Sequence, residues 1–482
     1  MEVNELEPQS VFRFFSEISR IPHGSENTEA LAEYCLNFAK ERGLEAVKDN
    51  YGNVIIFKAG TKGYEQSESI ILQGHLDMVC EKHPDCSKDM EREGIDLVMD
   101  GKYLCAKGTT LGGDDGIAVA YILALLDDKE LPHPPIEALL TADEEVGLRG
   151  AHALDVSKLT GKRMINIDSE EEGVLTVSCA GAVRISGTVP LTYEKTTASM
   201  CAKKITVGGL LGGHSGIDIG RNHKNAAIIL AEALYEFGSQ AKFQIAEMTS
   251  GGRLNVIPST AEAVICMEPS EISKVDKALT EFNTWLKDAC ADTEPDALVM
   301  TADEQLPEEC LDHASTDIVI STLLLVPNGV SSISTDIPFL VQTSSNLGSV
   351  MIQEGNLELG FLVRSNTDYG KAETLRSLAC LFVHRNGRMS TEDDYPAWEY
   401  RRTSPLRDTM VQVYEEMYGE KPQICAIHAG LECGILAEKI QGADMISIGP
   451  NMENVHTPEE RLEIASVKRC WEYLLKVLAG LK

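Results

Sequence analysis

The stretch Ile70-Ile71-Leu72-Gln73-Gly74 runs directly into His75-Leu76-Asp77. A short apolar run that ends on a histidine and an acid is the pattern of a buried strand in an open sheet, with chemistry at its tip. The pattern recurs along the chain. Thr110-Leu111-Gly112-Gly113 leads into Asp114-Asp115-Gly116, and Ala138-Leu139-Leu140-Thr141-Ala142-Asp143 into Glu144-Glu145. Met164-Ile165-Asn166-Ile167 leads into Asp168, and Met445-Ile446-Ser447-Ile448-Gly449-Pro450 toward His456. Ligands of open α/β sheets bind outside the carboxyl ends of the strands. Five scattered segments are therefore expected to deliver two histidines and several carboxylates to one rim. That inventory suits a pair of zinc ions holding a hydrolytic water.

Around these strands the spacing predicts helices. Val11, Phe12, Phe15 and Ile18 share one helical face, Pro22-His23-Gly24-Ser25 breaks the pattern, and a second helix is expected over 27–42. Ile117 to Leu126 is a continuous apolar helix-like run. The alternation indicates an α/β fold with a mixed, mostly parallel sheet. Near Gly181 the character changes. Val183–Val189 and Ala202–Val207 alternate like antiparallel strands, with helices expected over 225–237 and 272–290 and strands over 243–248 and 261–267. A similar order of elements follows: a helix over 316–325, strands over 337–342, 350–354 and 357–364, and a helix over 370–384. From Ser404 the α/β pattern returns. The expected organisation is one domain made of 1–182 and 398–482, with an α+β domain of 183–397 inserted into it, its two halves similar in element order.

The chain of 482 residues is too long for one ordinary core. A formal net charge of −32 excludes the basic surfaces that nucleic acid and anionic membranes require. No apolar stretch is long enough to span a bilayer, and the acidic, polar start has no secretory pattern. The 13 cysteines contain no C-x-x-C pair and lie largely in apolar company. Reduced thiols in a cytoplasmic protein are expected.

Residues i and i+2 of a strand face the same way, so His75 and Asp77 share a side. Asp77 is expected to orient the imidazole that holds a metal. Asp114 sits in a glycine-rich turn, and its two oxygens can bridge two cations. Of the adjacent pair Glu144 and Glu145, one can bind metal while the other takes a proton from a metal-activated water. Three further residues are candidates for binding a substrate. Asn255 enters an apolar turn. Arg364 ends a strand with a fork suited to a terminal carboxylate. Glu432, flanked by Gly430 and Gly434 in an apolar stretch, needs a cationic partner if buried, and is expected to meet a free ammonium group.

The motifs His75-Leu76-Asp77, Gly113-Asp114-Asp115-Gly116, Thr141 to Gly147, Asn166 to Gly173 and His456-Thr457-Pro458 resemble those of the M20 metallopeptidases. Gly212-Gly213-His214-Ser215-Gly216 and His428 to Gly434 point within that family to the aminoacyl-histidine dipeptidase group. The resemblance spans essentially the whole chain. It implies a zinc-exopeptidase-like domain bearing an inserted lid or dimerisation-type domain. It also implies that His75 and Asp168 hold one zinc, Glu145 and His456 the other, and that Asp114 bridges them, with manganese or cobalt as substitutes. Glu144 becomes the general base, Asp77 orients His75, and His214 is the donor to the oxyanion. A cis peptide between Asp114 and Asp115 is implied as well. The expected activity is hydrolysis of unblocked dipeptides, Xaa-His pairs among them, by a monomer or homodimer whose domains close over the substrate. The alternatives are a carboxypeptidase or N-acyl amino-acid deacylase of the same fold and, more remotely, a peptide-binding scaffold without turnover.

Overall fold

The computed structural model describes residues 3–482. The chain separates into two compact units. Unit 1 comprises residues up to Ser178 together with Tyr400–Ala426 and Leu431–Lys482; unit 2 comprises Cys179–Glu399 and Ile427–Gly430.

Unit 1 is built on an eight-stranded sheet in the order Glu45–Lys48, Val54–Lys58, Ile136–Thr141, Ile70–His75, Arg163–Asn166, Asp444–Ser447, Val174–Cys179, Gln423–Ile427. The four central strands, from Ile136–Thr141 to Asp444–Ser447, run parallel; the pairings that flank them on either side are antiparallel. Every residue of Ile70–His75 and Ile136–Thr141 is buried, which is why these strands read as unbroken apolar runs. Helix Gly113–Asp127 is apolar on nearly all sides and buried accordingly. It packs on helix Gln9–Ile18 and on strand Ile70–His75, while helix Pro405–Tyr418 packs on Ile464–Gly480 and on Asp444–Ser447. The register sets His75 level with Thr141 and Gln73 level with Asn166. The residues just beyond those positions therefore emerge at the same edge.

Unit 2 is an antiparallel sheet whose main path runs Leu298–Glu304, Cys201–Gly208, Ala261–Met267, Gln244–Gly251, Val341–Gln353, Asn356–Ser365, Gly181–Pro190, Arg388–Tyr395, with Gly329–Ile333 paired beside Val341–Gln353. Helices Ala226–Gln240, Ile272–Cys290, His313–Leu325 and Asp368–His384 contribute to its main core. Val183 and Ile185 are buried while Arg184 and Ser186 are exposed, the alternation of a half-covered sheet. Gly187 has no side chain because the Phe382 ring occupies that space: a Cβ there would lie 1.9 Å from the ring. The two sets of strands seen in the sequence join into one continuous sheet, Thr249 opposite Met351.

Separate strands were expected over 337–342 and 350–354, but a single strand, Val341–Gln353, replaces them. Its middle, Thr343-Ser344-Ser345-Asn346, reads as a loop because it is polar. These side chains are buried, and Asn346 donates to the carbonyls of Leu254 and Val256 at 2.9 and 2.8 Å. Polar groups satisfied in this way are tolerated inside a sheet.

Among the described residues no helix is long and apolar enough to cross a membrane, and all 13 cysteines are free thiols.

Candidate metal centre and substrate-facing residues

His75 is the last residue of its strand and is buried. Its Nδ1 lies 2.9 Å from the Asp77 carbonyl oxygen and 3.5 Å from the Asp77 carboxylate. The ring is therefore aimed chiefly by the backbone of Asp77, and Nε2 is the free face. That face meets Asp114 Oδ1 at 3.0 Å and Asp168 Oδ1 at 3.6 Å. Half-exposed His456 presents its Nε2 to Asp114 Oδ2 at 3.1 Å and to Glu145 Oε1 at 2.8 Å. Each oxygen of Asp114 thus faces a different imidazole. One side of the carboxylate holds His75 and Asp168, the other His456 and Glu145.

The donor set fits divalent cations. Two donors each about 2.1 Å from a zinc ion in tetrahedral array stand roughly 3.4 Å apart, and the four separations above bracket that value. His75 with Asp114 and Glu145, and His75 with Asp115 and Asp168, offer ligand atoms all within 4.8 Å of one another. Charge balance says the same. Among the described residues, the ion pairs of Asp114, Glu145 and Asp168 are with imidazoles alone. Burial, and then repulsion from Asp114 and Glu145, push the Asp168 carboxyl up to about 7 despite His75. Burial also drives Glu144 well above the usual carboxylate range, with Asp168, Glu432 and Glu145 adding to it. Burial opposes a charged His75, but Asp114, Asp168 and Asp77 outweigh it; Asp114 and Glu145 hold His456 up to about 11. So many crowded carboxylates with no fixed cation is the condition a bound metal relieves.

The backbone around the site is tied down by acids. Asp77 Oδ1 accepts the Glu144 N–H at 2.9 Å, and Oδ2 accepts the Glu145 N–H at 3.2 Å and the Ser25 hydroxyl at 2.8 Å. Buried Glu460 accepts the amides of Leu111, Gly112, Gly113 and Asp114 at 2.7, 3.1, 2.7 and 3.4 Å. It thereby holds the turn that carries Asp114. That turn leaves Asp114 and Asp115 non-helical at the head of their helix, with a cis peptide between them. Asp115 had no role in the sequence reading. It is buried, its Oδ2 accepts the His75 N–H at 3.1 Å, and its Oδ1 has no partner.

Glu432, in the first turn of helix Glu432–Lys439, is fully buried in unit 1. Its Oε2 accepts from Gln73 at 2.7 Å and from Thr141 at 2.6 Å, whereas its Oε1 has no partner. Burial, with Asp168 and Asp77 nearby, pushes this carboxyl up to about 8 against the pull of Thr141 and His75. Gln73 and Thr141 escaped the sequence reading because each sits inside an apolar run. Glu460 escaped because nothing in the string separates it from exposed Glu459 beside it.

Unit 2 holds the other three residues. His214 lies in the short strand Gly213–His214, paired with Val256–Ile257. Its Nδ1 accepts the N–H groups of Gly216 and Ile217, both at 3.2 Å. A neutral ring must then carry its proton on Nε2. Burial, and then the Arg364 cation, keep the ring neutral by lowering its pKa. Asn255 is exposed, and its carbonyl accepts the Ser215 N–H at 2.9 Å. Arg364 is only 7% exposed, and its Nε has no partner. Its Nη1 makes a long contact, 3.5 Å, with the Tyr395 hydroxyl. Among the described residues no carboxylate pairs with this guanidinium, and a buried cation of that kind can take an anion. His428 bonds Ser344 at 2.7 Å and Asn366 at 3.1 Å and is buried between them.

Comparison with known proteins shows what the chain as a whole is similar to. Residues 71–480 match the model of peptidase family M20/M25/M40. The chain is 34% identical over 477 residues to the cytosol non-specific dipeptidase of Escherichia coli strain K12, covering 99% of this chain and 98% of the relative. Its fold matches the crystal structure of an aminoacylhistidine dipeptidase from Vibrio alginolyticus with a TM-score of 0.96 at 33% identity, over 100% of this chain and 98% of that one. An aminopeptidase from Bacillus cereus shares the fold at a TM-score of 0.58 and 14% identity, over 99% of each chain.

Proposed function

This chain belongs to peptidase family M20/M25/M40 and is a hydrolase of peptide bonds, and on that premise we propose that it is a dinuclear metallo-dipeptidase acting on unblocked dipeptides, Xaa-His pairs among them. The observation that carries the reading is the Asp114 carboxylate, which turns one oxygen to His75 and the other to His456. On this reading His75 and Asp168 hold one cation, His456 and Glu145 the second, and Asp114 both. Two zinc ions there, or manganese or cobalt in their place, would polarise the scissile carbonyl and let water ionise near neutral pH.

The chain's own groups do the rest. Glu144 takes the proton of the attacking water and passes it to the leaving amine. Asp77 holds the backbone of Glu144 and Glu145 and, through its carbonyl, the ring of His75. His214 donates from Nε2–H to the oxyanion that forms as water adds. Arg364 clamps the terminal carboxylate of the substrate, and Asn255 assists His214. Glu432 offers its unpartnered Oε1 to the free ammonium group, which favours free amines over acylated ones. Free thiols throughout and the cytosolic relative support a cytoplasmic enzyme.

The test is a panel of free and N-acetylated dipeptides and N-acetyl amino acids, assayed on protein of measured metal content before and after chelation. Hydrolysis of free dipeptides should be lost on chelation and return with metal. N-acetyl amino acids turned over faster than free dipeptides would replace this reading with a deacylase. Turnover unaffected by complete metal removal would end it.

A further inference from the structure

Glu294 follows helix Ile272–Cys290 in a short turn. An acid there would ordinarily face solvent. Instead it is 1% exposed and ion-pairs with no lysine or arginine among the described residues. Its carboxylate is spent on one segment. Oε2 accepts the Leu211 N–H at 2.7 Å, and Oε1 accepts the Lys224 N–H at 2.9 Å, with His223 Nδ1 at 3.3 Å. Leu211 and Lys224 are the two ends of the excursion that carries His214. The joint is tight. Gly209, at φ 76°, lies so close to the Glu294 turn that a Cβ would stand 1.9 Å from the Asp296 carbonyl oxygen.

Between those ends His214 is fixed by its own segment. Its N–H donates to Asp218 Oδ2 at 2.8 Å, and its Nδ1 takes the amides of Gly216 and Ile217. The hook around the imidazole is thus internally rigid. Outside it, Gly213 and His214 pair with Val256–Ile257, the Ser215 N–H donates to the Asn255 carbonyl at 2.9 Å, and Ile219 packs with Ile257 and Val341. Those ties hold its flank, whereas both sides of its base end on one carboxylate. Burying an acid with no lysine or arginine partner is costly. Here the acid is retained at a place where its effect is geometric.

We propose that Glu294 is a positioning residue, whose buried carboxylate clamps both ends of Leu211–Lys224 and so sets the aim of the His214 Nε2–H. The proposal rests on the reading of His214 as the oxyanion donor. Glutamine preserves shape but can accept on one arm only.

The test is a double-mutant cycle of Glu294→Gln and His214→Ala on the metal-loaded full chain, with free dipeptide as substrate. Glu294→Gln should lower kcat by about 10- to 100-fold, the cost of misplacing a catalytic group by about 1 Å, with KM nearly unchanged. In the His214→Ala background the same substitution should lower the residual kcat less than about two-fold, because neighbours acting through one group are not additive. The nitrogen shifts of the His214 ring should move in Glu294→Gln while those of His75 and His456 stay. Equal losses in both backgrounds, or none in either, would overturn the proposal. Should Glu294→Gln fail to fold, His223→Asn removes one of the three donors and carries the same cycle with the same signs. A His214→Ala enzyme with wild-type kcat would instead overturn the reading of His214 itself.

Discussion

Replacing Glu460 by glutamine isolates what holds Asp114 in place. The carboxylate accepts four successive amides, two on each oxygen. Glutamine keeps one acceptor and turns an NH₂ group toward two backbone N–H groups. Two charge-assisted bonds are lost, each about 1.5–3 kcal/mol. The amides of Gly113 and Asp114, or those of Leu111 and Gly112, are left buried without partners. The expected loss is below about 3 kcal/mol of unfolding free energy, because one bond of the four is long at 3.4 Å and glutamine escapes the cost of burying the charge. Asp114 then shifts with its turn, and metal affinity should fall about 10- to 100-fold, as it does when groups supporting a ligand are removed. Burial pushes the Glu460 carboxyl up to about 7, so the comparison belongs near pH 8, where the group is ionised. Urea unfolding of metal-free protein reads the stability, and competition with a chromophoric chelator reads the metal. The control is Glu459→Gln at the exposed neighbour, whose side chain is 59% exposed; it should change stability by less than about 0.5 kcal/mol. Glu460 and Glu459 variants that behave alike would refute the reasoning.

Three other outcomes follow from the geometry. Arg364→Met should raise KM for free dipeptides about 10- to 100-fold, the worth of a charge-assisted clamp, and leave C-terminally amidated substrates unchanged; equal losses on both would remove Arg364 from carboxylate binding. Glu144→Gln should retain its full metal complement by elemental analysis yet lose about 10²- to 10⁴-fold in kcat, and near-normal turnover would reassign the base. His428 is buried 2.7 Å from Ser344 and beside the Arg364 cation, and burial first, then that cation, pull its pKa down from 6.5 to about 3. The unfolded chain therefore binds this proton first as pH falls, so the stability present above about 6.5 is lost progressively below it. Metal-free protein should lose about 2 kcal/mol from this group between pH 7 and 5. His428→Gln should flatten that limb in urea titrations, and an unchanged slope would contradict the burial argument.

The sequence alone determined the α/β fold and which residues are the candidate metal ligands. Each depends on a local pattern: an apolar strand long enough to be buried, then a histidine or acid at its tip. Parallel strands deliver their ends to one edge, so a string of such patterns already implies convergence, and His75, Asp114, Glu145, Asp168 and His456 do converge. Other choices were open to the fold alone. Which acids are supports could not be read, because Glu460 and Glu294 carry no local signal that separates them from Glu459 or from a solvated turn. In both, it is burial by distant chain that turns the carboxylate onto backbone amides. The same holds for the strand Val341–Gln353, whose polar centre reads as a loop until Asn346 finds its carbonyls, and for His214, whose donor nitrogen is settled by two amides that fold back onto the other one. Strand periodicity is written residue by residue, whereas the partner of a buried polar group is decided by which segment of chain closes over it.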